Sequence, residues 1–169
     1  MKTVYLLRHA KSYWADPNQI DKDRVLADRG VNDAVLLGSY VKKNNLNPNI
    51  IYCSTAQRCK QTLALVNLDS NIEKKDIIYD DDLYGCHVSF LLNILLHQDK
   101  EINSILLVNH EPTLSDLVNS LVPRNKILET DYKKYDTCGF SILKYMANDW
   151  SNINQENLAS FEFVIPKNL

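Results

Sequence analysis

Residues 3–9 read TVYLLRH, and this stretch decides the fold that we expect. Its first five residues are apolar, aromatic or β-branched, which is typical of a short strand buried on both faces. An arginine and a histidine follow at once. Three further runs of this kind, at residues 50–53, 77–79 and 105–108, indicate more buried strands. We therefore expect a sheet that is built largely from buried, parallel strands.

Longer amphipathic segments separate these strands and predict helices. Apolar side chains recur at helical spacing in three groups, which are Val31, Ala34, Val35, Gly38 and Val41, then Val88, Leu91, Leu92, Leu95 and Leu96, and later Leu114, Leu117, Val118 and Leu121. Ser54 followed by Gln57 is a capping-box pattern, which predicts a helix N-terminus at Ser54. Pro112 suits the first turn of another helix, because its missing N–H costs nothing there.

The order of these elements predicts the fold class. Two last strands are expected at residues 140–145 and 161–165, with a polar loop at residues 148–157 between them. This order predicts a three-layer α/β/α sandwich with a mostly parallel central sheet and a late pair that can run antiparallel. The chain has 169 residues, of which 45% are hydrophobic, and shows no repeat or linker. We expect a single domain over residues 1–169.

Composition argues against several classes of protein. The net charge of -2 lacks the basic surface that binds nucleic acid or an anionic membrane. The first residues show no signal-peptide pattern and no stretch is long enough to span a bilayer, so we expect a cytoplasmic protein. The four cysteines, Cys53, Cys59, Cys86 and Cys138, form neither a CxxC pair nor a zinc-ligand spacing. We therefore expect no disulfide, no metal and no cofactor.

Charged and titratable side chains follow three of the predicted strands. Arg8 and His9 follow the first strand, Arg58 lies one turn into the helix after the second, and His110 follows the fourth. Because ligands of open α/β sheets bind beyond the carboxyl ends of strands, we expect these side chains to lie close together. Arginine forks match phosphate oxygens, and a neutral imidazole aimed at phosphorus can form a phosphohistidine. The pattern indicates a phosphohydrolase with a histidine nucleophile.

Four ordered segments match a known family. They read LLRHAKS at residues 6–12, DRVLADRG at 23–30, CSTAQRCKQT at 53–62 and LVNHEP at 107–112. Together they resemble the signature of the histidine phosphatase superfamily, whose fold is phosphoglycerate mutase-like. The Lys-Ser end of the first segment, and FVIPK at residues 163–167, are similar to the small SixA-like phosphohistidine phosphatase branch.

The resemblance implies a role for each matched residue. His9 would take the phosphoryl group, while Arg8 and Arg58 hold its oxygens. His110 would donate a hydrogen bond to those oxygens and stabilise the transition state. Arg24 matches an arginine that often reaches the same pocket, and a surface position is the alternative.

Three further residues are candidates for substrate binding. Lys11 and Ser12 match the branch signature, although a solvated lysine and a helix or turn cap are open alternatives. Glu111 is the nearest candidate for a general acid, and the acidic run at residues 80–82 is another. Such an acid contributes roughly two to four orders of magnitude in rate. SixA-like members resemble this chain in lacking an obvious acid, and an imidazole leaving group can be protonated by solvent and departs easily.

Two positions depart from the family pattern. Val25 stands where the family usually has proline, and Asn109 stands where it often has a small residue, usually glycine. Neither change removes a charge from the expected site. We therefore expect altered loop stiffness and not a loss of function.

Two other kinds of hydrolase are disfavoured by the motifs. Cys53 and Arg58 at a strand-to-helix turn invite comparison with the Cys-x5-Arg phosphatases. Only four residues intervene here, however, and the loop lacks the glycines that let backbone amides wrap a phosphate. A metallohydrolase is disfavoured because the sequence contains neither a His-x-His nor a His-Glu-x-x-His pattern.

The prediction is a metal-independent phosphatase that forms a phosphohistidine intermediate on His9 and acts on phosphohistidine in proteins. Its partner would be a phosphorylated protein, with a histidine-containing phosphotransfer domain as one candidate, or a small phosphorylated metabolite. Two alternatives remain open. One is a small-molecule phosphomonoesterase of the same superfamily, and the other is a catalytically weak module that binds phosphohistidine.

Overall fold

The computed structural model describes residues 1–14, 16–68, 73 and 76–169. Its strands are β1 Lys2–Arg8, β2 Ile50–Ser54, β3 Ile77–Asp80, β4 Ser104–Asn109, β5 Phe140–Tyr145 and β6 Leu158–Val164. Its α-helices are α1 Asp28–Lys43, α2 Gln57–Val66, α3 Val88–Leu96, α4 Thr113–Leu121 and α5 Arg124–Leu128. Short 3-10 turns include Asp21–Asp23 and Asp81–Leu83, which lie in loops beside the candidate site.

The strands of the described residues form a six-stranded sheet in the order β3-β2-β4-β1-β5-β6. β1 pairs in parallel with β4, and the parallel pairing continues from β4 to β2 and β3. β5 runs antiparallel to both β1 and β6, so the mostly parallel sheet and its late antiparallel pair are confirmed. Arg8 lies opposite Asn109 in the β1–β4 pair. The loops that follow these two strands therefore leave the sheet side by side.

Helices cover both faces of the sheet. On one face, Leu37 of α1 and Leu63 of α2 pack in a buried cluster with side chains of β1, β2, β4 and β5. On the other face, Leu91 of α3 and Leu117 of α4 belong to a second buried cluster. The predicted three layers are confirmed. In the described part of the chain, no helix is both long and apolar enough to cross a membrane.

The buried face of α1 differs from the predicted one. Its buried residues are Gly30, Ala34, Leu37 and Val41. Val31 and Val35, which were expected to face the sheet, are 37% and 50% exposed. The cause is the close approach of α1 to the loop after β1, since a Cβ on Gly30 would lie 2.1 Å from the carbonyl oxygen of Lys11. Only glycine permits this contact, which turns both valines outward.

The predicted capping role of Ser54 is wrong. Ser54 is the last residue of β2, and α2 begins at Gln57 with Ala56 as its N-cap and no side-chain cap. The Ser54 hydroxyl instead lies 2.8 Å from Nε2 of His110. The side chain of Ser54 therefore links the end of β2 to the loop after β4. Pro112 directly precedes α4, close to its predicted place.

Candidate active site

Two histidines meet where β1 and β4 end. The backbone N–H of His9 donates to the carbonyl of Asn109 at 3.3 Å, which fixes the loop after β1 against the end of β4. His110 follows Asn109 directly. The ring centroids of His9 and His110 lie 5.2 Å apart, and the two residues are 8% and 7% exposed. The parallel pairing of two central strands thus brings both imidazoles into one pocket.

The hydrogen bond of His9 fixes its tautomer. Nδ1 lies 2.8 Å from the carbonyl oxygen of Ala10, and because a carbonyl only accepts, Nδ1 carries the proton. Burial lowers the pKa of His9 to about 3, and the charges of His110, Arg58 and Arg8 add to this effect against the hydrogen bond to Ala10. At neutral pH the lone pair of His9 therefore sits on Nε2.

His110 has the opposite tautomer. Nη2 of Arg58 lies 3.4 Å from Nδ1 of His110, and because a guanidinium only donates, Nδ1 is the acceptor. The proton is then on Nε2, which donates to Ser54 Oγ at 2.8 Å. Burial and the charge of Arg58 lower the pKa of His110 to about 4, although Asp21 acts in the other direction. The site therefore holds two neutral imidazoles at neutral pH.

Arg8 and Arg58 lie beside these rings, as the sequence predicts. Nη1 of Arg8 donates to the carbonyl of Tyr135 at 2.6 Å. Nη1 of Arg58 donates to the carbonyl of Asp21 at 2.7 Å, and its Nη2 donates to Asp21 Oδ2 at 3.0 Å. The Nε atoms of both arginines are buried and have no hydrogen-bond partner among the described residues. Two guanidinium groups beside two neutral imidazoles make this pocket positively charged, so it is suited to an anionic ligand.

The other predicted substrate-binding residues lie at different depths. Arg24 is 5% exposed and donates from Nη1 to Ser12 Oγ at 2.7 Å, so it is inside the protein and Ser12 is its partner. Lys11 is exposed, and its carbonyl accepts from the N–H of Ala27 at 2.9 Å.

Glu111, the candidate general acid, accepts a hydrogen bond from the backbone N–H of Ser115 at 3.2 Å. Burial raises the pKa of Glu111, against the effects of Ser115 and Arg8.

Asp21 is a residue that the sequence analysis missed. Its carboxylate accepts from Arg24 Nε at 2.9 Å, from Arg58 Nη2 at 3.0 Å and from the Tyr84 hydroxyl at 2.6 Å. Burial alone would raise the pKa of Asp21, but the hydrogen bonds from Tyr84 and Arg24 and the charge of Arg58 outweigh it and lower the pKa to about 2. In the sequence, the sign of this residue is an aspartate three residues before Arg24. That spacing does not predict the contact of Asp21 with Arg58 of α2.

The acidic run at residues 80–82 does not supply an evident acid. Asp81 is bonded to Lys22 and Thr55, and these contacts lower its pKa. Asp80 caps the following 3-10 turn by accepting from the N–H of Asp82. No group of three or more His, Cys, Asp or Glu side chains among the described residues is arranged to hold a metal ion.

Comparison with known proteins decides the family. A model of the histidine phosphatase superfamily (branch 1) matches residues 4–89, just over half of the chain. The chain belongs to the histidine phosphatase superfamily. A relative in Mycobacterium tuberculosis, the uncharacterised protein Rv1276c, is 30% identical over 165 residues, which cover 95% of this chain and 100% of that protein.

Solved structures place this superfamily member near SixA. A candidate phosphohistidine phosphatase SixA from Agrobacterium tumefaciens is 28% identical with a TM-score of 0.81, over 98% of this chain and 99% of the other. The protein histidine phosphatase SixA in complex with tungstate is 20% identical with a TM-score of 0.73, over 98% of each chain, a likeness that shows the fold alone. The SixA-like resemblance of the sequence is confirmed.

Proposed function

We propose that this phosphatase hydrolyses phosphohistidine in proteins through a phosphohistidine intermediate on its own His9. The observation that carries the proposal is the bond of His9 Nδ1 to the Ala10 carbonyl at 2.8 Å. It leaves the Nε2 lone pair available in a ring that stays neutral at neutral pH. A neutral imidazole held in one tautomer beside two guanidinium groups is suited to attack an anionic phosphoryl group.

The surrounding donors support the same role. Arg8 and Arg58 would hold the phosphoryl oxygens, since their guanidinium groups lie beside the two imidazoles and match the geometry of phosphate oxygens. His110 would direct its Nε2 proton to a phosphoryl oxygen in place of Ser54. Donors aimed at the phosphoryl oxygens stabilise the charge that develops in the transition state.

The carboxyl groups of the site favour a phosphohistidine over an alkyl phosphate. Asp21 is ionised and bonded to two arginines, and Glu111 is bonded to the backbone of α4. Neither is evidently placed to protonate an alkoxide. An imidazole departs without such help, so phosphohistidine suits the site better. We expect the partner to be a phosphorylated protein in the cytoplasm, and a small phosphorylated metabolite is the alternative.

A substrate panel tests this proposal. Wild-type protein and His9→Ala are assayed with a phosphohistidine protein, a phosphoserine peptide, sugar phosphates and an aryl phosphate. We expect the highest kcat/KM for the phosphohistidine protein, and no turnover by His9→Ala. Preference for a sugar phosphate would instead identify a small-molecule phosphomonoesterase. Binding of phosphohistidine with no turnover of any compound would identify a binding module.

The proposed reaction needs no metal ion. Arginine and histidine donors supply the positive charge and hydrogen bonds that metal ions provide in other phosphatases. Turnover should therefore be unchanged after exhaustive chelation. A loss of turnover that a divalent ion restores would contradict this part of the proposal.

A further inference from the structure

Asp21 places a carboxylate among the arginines of a pocket that we propose binds an anion. Oδ1 accepts one hydrogen bond, from Arg24, while Oδ2 accepts two, from Arg58 and Tyr84. A carboxylate offers roughly four acceptor positions, so one on Oδ1 remains. The side chain is 44% exposed, so its carboxylate is open to solvent.

A negative charge at this position opposes the binding of a phosphate dianion. Arg24 and Arg58 pair with this charge, but the acceptor position that remains on Oδ1 can be used only by a substrate with an N–H group next to its phosphate. Protonated phosphohistidine has such a group, because its second ring nitrogen carries a proton. Sugar, serine and aryl phosphates have none at the bond that is cleaved.

We propose that Asp21 selects substrates whose leaving group is an imidazole, by accepting a hydrogen bond from the second ring nitrogen of phosphohistidine. This inference rests on the proposed function. Asp21 is connected to the nucleophile through Arg58, whose Nη2 contacts both Asp21 and His110. His110 in turn lies against His9. Asp21 therefore stands at the same pocket but does not contact the attacking ring.

The neighbouring aromatic side chain fits the same leaving group. The Tyr84 hydroxyl holds Asp21 Oδ2 at 2.6 Å, and the Tyr84 ring meets the His110 ring edge-on with centroids 5.5 Å apart. Tyr84 is 37% exposed, so part of its surface is open beside the carboxylate. A planar imidazole can pack on this surface while its N–H points to Asp21.

The contact allows the reaction to proceed without a general acid. His9 Nε2 bonds to phosphorus as the bond from phosphorus to the substrate nitrogen breaks, and the electron pair of that bond stays on the nitrogen. The protonated ring thereby leaves as neutral imidazole, with its proton still on the second nitrogen and shared with Asp21. Water then attacks the phosphoryl group on His9. The electron pair returns to Nε2, and both hydrogens of the water leave with inorganic phosphate.

The test compares two substrates in three proteins. Phosphohistidine and p-nitrophenyl phosphate are assayed with wild type, Asp21→Asn and Asp23→Asn. The asparagine preserves the shape of the side chain and removes its charge. Asp23 is a matched control, because it is exposed and lies in the same 3-10 turn. We expect Asp21→Asn to lower kcat/KM for phosphohistidine by about tenfold or more, as for a lost hydrogen bond to a charged group.

The aryl phosphate separates recognition from positioning. Its leaving group is a phenolate without an N–H, so it reports only the loss that Asp21→Asn causes through Arg24 and Arg58. The loss in kcat/KM with phosphohistidine should exceed the loss with the aryl phosphate by about tenfold. Asp23→Asn should match wild type with both substrates. Equal losses with both substrates would overturn the inference, because Asp21 would then only position its arginines. An unchanged phosphohistidine rate would overturn it as well. Wild-type protein that cleaves the aryl phosphate but not phosphohistidine would instead refute the proposed function.

Discussion

The imidazole rings of His9 and His110 lie with their centroids 5.2 Å apart and their planes at 56°. Their hydrogen bonds place the protons on different atoms, Nδ1 in His9 and Nε2 in His110. One ring therefore offers a lone pair and the other a donor. This difference underlies the unequal roles that we propose for them.

Trapping of the intermediate tests these roles. If His9 attacks phosphorus, a rapid quench without acid during turnover should trap phosphate on the protein. The label should survive alkali and be lost in mild acid, as a phosphoramidate is. His9→Ala should carry no label. His110→Ala keeps the nucleophile but loses a donor, so it should label slowly, with kcat lowered by about two to three orders of magnitude.

Mapping of the label provides the decisive check. Peptide analysis under non-acidic conditions should locate the phosphate on His9. Normal labelling of His9→Ala, or a label on His110 or Cys53, would contradict the assignment. His87→Ala is a suitable control, because His87 lies at the start of α3 and bonds only within its own turn.

Replacement of Arg58 by lysine tests the need for a planar guanidinium. Arg58 donates through Nη1 and Nη2 to Asp21, and Nη2 also lies 3.4 Å from Nδ1 of His110. A lysine ammonium is a point charge and cannot reproduce this geometry. We expect Arg58→Lys to lower kcat/KM by about a hundredfold. Near-normal turnover would show that Arg58 does not contact the phosphoryl group. The control is Arg124→Lys, because Arg124 is exposed.

Much of this architecture could be predicted because it depends on local patterns. Short apolar runs give strands, and parallel strands that end at one edge bring their following residues together. For this reason, Arg8, His9, Arg58 and His110 could be predicted to meet. The exposure of Val31 and Val35 could not be predicted in this way, since the rotation of α1 depends on a backbone contact between Gly30 and Lys11.

Contacts between loops explain the remaining errors. Ser54 has the spacing of a helix cap, yet its hydroxyl is used by His110, which is 56 residues away. Asp21 contacts Arg58 across 37 residues and Tyr84 across 63. No local pattern encodes such pairs, because they depend on how separate loops pack at the edge of the sheet.

Replacement of Cys53 tests the cysteine mechanism. Cys53 lies within β2 and is fully buried, so its thiol does not face a ligand. Cys59 lies nearer, with Sγ 3.5 Å from Nε2 of His110, but burial raises its pKa to about 12 and keeps it protonated. We expect Cys53→Ser and Cys59→Ala to retain turnover within about threefold, with lower stability. Abolished turnover in a folded Cys53→Ser protein would support a cysteine nucleophile.

The stability of the protein should depend on pH through the two site histidines. The unfolded chain binds a proton on each histidine near pH 6.5, whereas burial lowers the pKa of His9 to about 3 and that of His110 to about 4 in the fold. The contribution to stability is therefore complete above pH 6.5 and is lost as the pH falls towards these values. From pH 7 to pH 5, each of these histidines should lower the free energy of unfolding by about 2 kcal/mol.

Urea unfolding at pH 7 and pH 5 measures this effect. Asparagine cannot titrate, so His9→Asn should lose less stability than wild type on acidification, by about 2 kcal/mol. His97→Asn is the matched control, because it makes the same replacement at an exposed histidine at the end of α3, outside the site. An acid-induced loss in His9→Asn equal to that of wild type would contradict the lowered pKa, because it would show that His9 takes up its proton near pH 6.5 in the folded state as well.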